Sequence, residues 1–196
     1  MSVLTAIALA LSIQNATSTY TDLENCVEIP GEALVNQRCE GFEGWDIYTA
    51  SSEHSAVIAF SDRGVESQFA QRPLRSGQFK NFSNRIEWRL ADNGQAFATI
   101  QRWQSVAPVL DEATGAPTGE FERFGEQLVV SALRAEGTPG ACHIAYIDAT
   151  EVSHANELAR IFADEWAPDA PCDGRPPFNV DASTAEFLFA PQDDSE

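Results

Sequence analysis

The sequence is poor in positive charge. Its 196 residues contain one lysine and eleven arginines against 30 acidic residues, and the formal net charge at pH 7 is −18. A surface with so large an excess of negative charge repels phosphate backbones and anionic lipid headgroups. We therefore expect neither nucleic-acid binding nor attachment to an anionic membrane surface.

The sequence also lacks the short motifs of common enzymes. It contains no GxSxG, SxxK, P-loop or GxGxxG motif, and these would indicate serine hydrolases or nucleotide-binding proteins. Its three histidines, His54, His143 and His154, have no HxH, HxxxH or HExxH spacing, and no cysteine lies in a CxxC. The sequence therefore predicts no catalytic residue, no cofactor and no metal site.

Long apolar runs are missing, with one short exception near the start. Residues 3–13 carry no charged side chain, and such a run is too short to span a bilayer but typical of a secretory signal peptide. Ala16 and Ser18 are small residues three and one positions before a cleavage point ahead of Thr19. The sequence thus predicts a signal peptide over 1–18 and no later membrane insertion; the alternative is a buried N-terminal strand or helix.

Four cysteines are present, all beyond this leader. An even number in an exported chain favours two disulfides, and three connectivities are open. Pairing Cys26 with Cys39 and Cys142 with Cys172 keeps both loops local, and we predict this pairing. The expected location is the periplasm or the outside of the cell.

The adjacent residues Cys142 and His143 could be a nucleophile and its base. They lie in a segment that predicts a strand, where neighbouring side chains point to opposite faces. A cysteine nucleophile also needs a free thiol, whereas Cys142 is expected in a disulfide. We therefore interpret the pair as structural.

Strand-like segments dominate the rest of the chain. Two of them flank the turn sequence ADNG and predict a β-hairpin. We predict one α+β domain over residues 19–173, with an antiparallel sheet of about five or six strands. The segments lie at 45–50, 55–61, 85–90, 95–103, 126–134 and 142–148.

One amphipathic helix is predicted at about 150–167, packed on one face of the sheet. Apolar side chains recur there every three or four residues, and Asp148 and Glu151 match a capping box. A helix that folds back on the preceding strand brings Cys172 close to Cys142.

Three further segments have weaker patterns. Residues 65–71 predict a second, shorter helix. Residues 107–125, with two prolines and three glycines, predict a long surface loop, and such loops often carry function. Residues 174–196 predict an acidic, proline-containing C-terminal tail.

The few basic residues are concentrated in one segment. Residues 63–103 contain seven basic and three acidic side chains, with aromatic residues between them. Two interpretations are open: these residues form a face that docks a protein partner or a small anionic ligand, or the arginines pair with the protein's own surplus carboxylates. We favour the pairing. The face consists of Arg72, Arg75, Lys80, Arg85 and Arg89.

Several segments together resemble a family of small exported proteins from alphaproteobacteria. They are YTDL…C (20–26), RCEGFEG (38–44), IEWRL (86–90), FATIQRW (97–103) and GACHIAYIDATEVSHANELARIFADE (140–165). The resemblance implies a periplasmic location and the same four-cysteine layout. It carries over no site residue.

Two functions follow from these observations. The first is a monomeric, non-catalytic binding or envelope accessory protein without a cofactor. The second is a hydrolase that uses carboxylates without a recognisable motif. A deep cleft with converging Asp or Glu side chains would favour the hydrolase.

Overall fold

The structure is a computed structural model that describes residues 16–30, 35–51, 56–62, 79–134 and 140–189. The described residues form ten strands and two helices. The strands are β1 (Thr17–Asp22), β2 (Val27–Glu28), β3 (Val35–Glu40), β4 (Trp45–Ser51), β5 (Ala56–Asp62), β6 (Phe79–Leu90), β7 (Ala96–Leu110), β8 (Pro117–Leu133), β9 (Ala141–Asp148) and β10 (Phe178–Val180). The helices are α1 (Ala155–Trp166) and α2 (Ala182–Phe189). The helix predicted at 65–71 lies outside the described residues.

The strands form two sheets. The larger has the order β1-β6-β7-β8-β9-β10 and the smaller β2-β3-β4-β5. The six predicted strands are all present and the α+β class is confirmed in outline, but the prediction of one antiparallel sheet was wrong. The larger sheet is mixed because β10 runs parallel to β9, and β4 and β5 belong to the second sheet.

Each face of the larger sheet carries its own core. Pairing of β6 with β7 places Trp88 opposite Thr99, and this face packs against the smaller sheet around Trp88, Phe60 and Ile47. The opposite face packs against α1 through residues such as Val130 and Ile147. The protein is therefore built in three layers: helix, six-stranded sheet and four-stranded sheet.

The segment 107–125 is not the predicted loop. It forms the protruding end of the β7–β8 hairpin, with Pro108 opposite Phe121. The turn is closed by Asp111, whose carboxylate accepts hydrogen bonds from the Thr114 hydroxyl and backbone N–H at 2.7 and 2.8 Å. These bonds lower the pKa of Asp111. Its prolines and glycines occupy irregular strand positions and the turn, so composition alone suggested a loop.

Helix α1 begins at Ala155, later than the predicted start near residue 150. Asp148 does accept two backbone N–H groups, but it closes a turn ahead of the helix. His154 then adopts a left-handed conformation with φ 61°, which ends that turn before the helical hydrogen bonds begin. The predicted end was correct to one residue, since α1 ends at Trp166.

The ordered fold extends at both ends beyond the predicted domain of 19–173. Strand β1 starts at Thr17, inside the predicted leader. In the predicted tail, β10 and α2 occupy residues 178–189, and Val180 is 2% exposed in the helix-side core. This C-terminal part of the chain therefore contributes to the core.

Candidate functional site

A groove lies between α1 and α2, with a volume of about 480 Å³. Its described lining comes from the turn before α1, from one side of α1 and from the first part of α2. The lining residues are Glu151, Val152, Ser153, His154, Glu157, Leu158, Ile161, Ala182, Ala185 and Glu186. Its volume falls within the range of about 300–1,000 Å³ that is usual for ligand pockets.

The orientation of α1 determines one wall of the groove. Its apolar stripe, which includes Leu158 and Phe162, is buried against the larger sheet. Ile161 lies off this stripe and is 44% exposed. The wall therefore offers apolar surface that the fold does not bury.

The second wall depends on how α2 starts. Asp181 precedes this helix, and its carboxylate accepts hydrogen bonds from the Thr184 N–H and the Ser183 hydroxyl, each at 2.8 Å. These bonds lower the pKa of Asp181 to about 2, as expected for a helix-capping carboxylate. Ala182 and Ala185 then present small apolar side chains to the groove.

The floor and rim of the groove differ in chemistry. Val152 and Leu158 are 7% and 3% exposed and form an apolar floor. Three carboxylates, Glu151, Glu157 and Glu186, are exposed at the rim. Of the described residues that line the groove, none is a lysine or arginine. The groove therefore combines apolar contact with negative charge.

Both predicted disulfides are present. Cys26 and Cys39 have Cα atoms 4.1 Å apart and join the segment before β2 to β3. Cys142 and Cys172 have Cα atoms 5.4 Å apart and join β9 to the segment after α1. Each cysteine is therefore oxidised, which removes the thiol nucleophile and indicates an oxidising compartment outside the cytoplasm.

Most of the predicted basic face falls outside the described side chains. Arg72 and Arg75 lie outside them, and of Lys80 only the strand position in β6 is described. Arg85 lies over the Tyr20 ring, 4.6 Å from its centroid. Arg89 is 6% exposed, so it cannot belong to a docking face.

Arg89 lies instead in a charge network that ties β1 and β6 to α1. Its Nε and Nη2 atoms donate to the two carboxylate oxygens of Asp164 at 2.8 and 2.6 Å. Its Nη1 donates to Ser18 Oγ at 2.5 Å, and Nη2 also donates to the Ala16 carbonyl at 3.1 Å. This arginine therefore follows the favoured interpretation, pairing with the protein's own carboxylates.

Glu87 completes the network. It accepts Arg160 Nε at 2.7 Å and Ser18 Oγ at 2.5 Å on Oε1. Burial opposes its ionisation, but the hydrogen bonds from Arg160 and Ser18, together with the positive charges of Arg160 and Arg89, outweigh burial and lower its pKa. Among the carboxyl groups of the described residues, the shifted pKa values all fall, and a general acid needs the opposite direction.

The described histidines do not converge. His143 is half-buried with its Nε2 enclosed, and its Nδ1 is 2.8 Å from the Tyr146 hydroxyl. The side chain of His154 is 77% exposed at the groove rim, and His54 lies outside the described residues. In the described part of the chain, no group of three His, Cys, Asp or Glu side chains is placed to hold a metal ion.

Comparison with known proteins does not extend these observations. No protein-family model matches the chain, and the searches of curated proteins and of solved structures return no similar protein. In the residues that the structure describes, neither helix has the length and apolar character needed to cross a membrane.

Sequence reasoning missed the groove although parts of it were readable. Exposed Ile161 lies off the apolar stripe of the helix, with Glu157 and Glu165 four residues before and after it. This spacing is a weak sequence signal for an unburied apolar side chain. The segment FLFA in the predicted tail was a second signal, since apolar residues there favour a packed element. How the two segments pack against each other depends on β10, which the sequence did not predict.

Proposed function

We propose that the protein is an exported, disulfide-stabilised binding protein that carries out no chemistry, and that the α1–α2 groove holds its ligand. The observation that carries this proposal is the exposed apolar wall at Ile161 beside the floor formed by Val152 and Leu158. Exposed apolar surface in a concave site marks binding sites more often than a scattered surface residue does.

The export part of the proposal rests on the two disulfides and on the apolar leader-like run. The resemblance to small exported proteins of alphaproteobacteria points the same way. The hydrolase alternative has less support, because the groove's carboxylates Glu151, Glu157 and Glu186 are exposed on its rim and do not line its buried floor.

Site-specific photo-crosslinking in the cell that produces the protein tests the proposal. A photoreactive residue at Ser153, on the groove rim, is expected to give a discrete adduct. The same residue at Glu112, exposed on the β7–β8 turn, serves as the control and is expected to give none. Equal adducts at both positions, or an adduct at Glu112 alone, would contradict the groove as the binding site.

A further inference from the structure

We propose that the groove binds a cationic amphipathic segment of a partner protein, with aliphatic side chains on the floor and lysine or arginine side chains against the rim. This inference rests on the proposed function and specifies its ligand. Recognition of an amphipathic segment in an apolar groove is a common binding mode.

The floor accounts for the apolar half of the ligand. Leu158 is part of the helix-side core, so its position is fixed by the fold. Ile161 and Ala182 stand on the two walls, and a ligand side chain between them would bury apolar surface from both helices. Such burial favours binding in proportion to the area removed from water.

The rim accounts for the charged half. Glu151, Glu157 and Glu186 surround an apolar floor, and the lining residues include no Lys or Arg within the described ranges. The arginine of α1, Arg160, turns away to bind Glu87. Charge complementarity therefore selects a cationic ligand and disfavours an anionic one.

Segments of this chain fit the groove less well. Residues 190–196 follow α2 directly, but they carry three acidic and no basic side chains. They would bring further negative charge to the rim. The leader-like run 3–13 is apolar but carries no positive side chain, so it satisfies only the floor.

Three short helical peptides test the inference by fluorescence anisotropy on the full protein. Each has leucine on one face, and the other face carries lysine, glutamine or glutamate. The lysine peptide is expected to bind with the highest affinity, and its affinity is expected to fall as the salt concentration is raised. The triple variant Glu151→Gln, Glu157→Gln, Glu186→Gln is expected to bind it about tenfold less tightly, because each exposed ion pair changes affinity by about twofold.

A second triple variant controls for overall charge. Glu112→Gln, Glu120→Gln and Glu122→Gln removes the same charge from the exposed β7–β8 hairpin and is expected to change affinity by less than about twofold. Ile161→Ser is expected to lower the affinity of every peptide that binds. Its control, Leu110→Ser, changes a side chain that is 53% exposed on the hairpin and is expected to have no effect.

The outcomes separate the two proposals. If the lysine and glutamine peptides bind equally and Ile161→Ser weakens both, the cationic ligand is wrong and the groove remains a binding site. If the hairpin variant weakens binding as much as the rim variant, the attraction is non-specific and this inference is overturned. If no peptide binds and Ser153 gives no photo-crosslinked adduct, the proposed function fails as well.

Discussion

Burial of His143 predicts that the protein loses stability in mildly acidic solution. Burial lowers the pKa of His143 from 6.5 to about 4, whereas in the unfolded chain this histidine takes up a proton near its ordinary pKa. Between these two values the unfolded state binds more protons, so the free energy of unfolding falls as the pH falls. The difference between the two pKa values corresponds to about 3 kcal/mol in the free energy of unfolding.

Most of this effect appears before the carboxylates contribute. From the two pKa values, about 2 kcal/mol is lost between pH 7.5 and 5. Glu87 has a lowered pKa, so its contribution is present above the ordinary value of 4.5 and is lost only below it. The window from pH 7.5 to 5 therefore isolates histidine protonation.

Denaturant unfolding followed by tryptophan fluorescence measures the effect. His143→Gln, whose amide can still hydrogen-bond to Tyr146, is expected to remove most of the change between pH 7.5 and 5. His154→Gln is the matched control, because that side chain is 77% exposed. The reasoning is refuted if His143→Gln keeps the wild-type pH dependence, or if NMR titration gives His143 a pKa near 6.5.

Two further predictions concern the disulfides and the Arg89–Asp164 ion pair. The double variant Cys142→Ser, Cys172→Ser is expected to lower the free energy of unfolding by about 3.5 kcal/mol, and Cys26→Ser, Cys39→Ser by about 3 kcal/mol, because of the lengths of the closed loops. Thermal melting of both variants measures the loss. An unchanged melting temperature in the first variant would contradict the prediction. Arg89→Met is expected to cost about 3 kcal/mol because it leaves the Asp164 carboxylate without its bidentate partner. Adding Asp164→Leu should recover part of that loss in a double-mutant cycle, and strict additivity would show that the pair does not couple.

Local sequence patterns predicted the strands with clear alternation and the end of α1. The β6–β7 hairpin was readable because ADNG supplies turn residues between two alternating segments. By contrast, the two buried residues of β3 (VNQRCE) are Asn36, which is polar, and Cys39 three positions later, so the strand lacks period-two apolar spacing. Its pairing to β4 was therefore invisible in the hydrophobic pattern.

The assignment of strands to sheets could not be read from the sequence either. β4 and β5 carry apolar residues, as β6 does. No local pattern distinguishes packing of β5 against β6 across the two sheets from hydrogen-bonded pairing of the two strands in one sheet. The start of α1 was misplaced because Val152 continues the apolar periodicity, although His154 interrupts the backbone geometry. The Cys142–Cys172 disulfide was predicted because it depends only on a strand and a helix that fold back on each other, and Cys26–Cys39 was predicted because its loop is short.

The N-terminal strand constrains where a leader can be removed. Cleavage ahead of Thr19, as the small residues at 16 and 18 suggested, would delete Ser18, which links Arg89 to Glu87. It would also delete the Ala16 carbonyl that Arg89 Nη2 contacts. A new α-ammonium group at Thr19 would then lie beside a buried guanidinium.

We therefore expect the mature chain to keep Ala16 and to begin upstream of it. Ala10 and Ser12 are small residues three and one positions ahead of Ile13. They satisfy the same cleavage rule and leave the described contacts of Arg89 with Ser18 and Ala16 in place. Mass spectrometry of the intact protein recovered from outside the cytoplasm measures the boundary. Loss of the Ser18 hydrogen bonds should lower the melting temperature of a chain that begins at Thr19 below that of a chain that begins at Ile13. A mature chain that begins at Thr19, with the same melting temperature as the longer chain, would contradict this prediction.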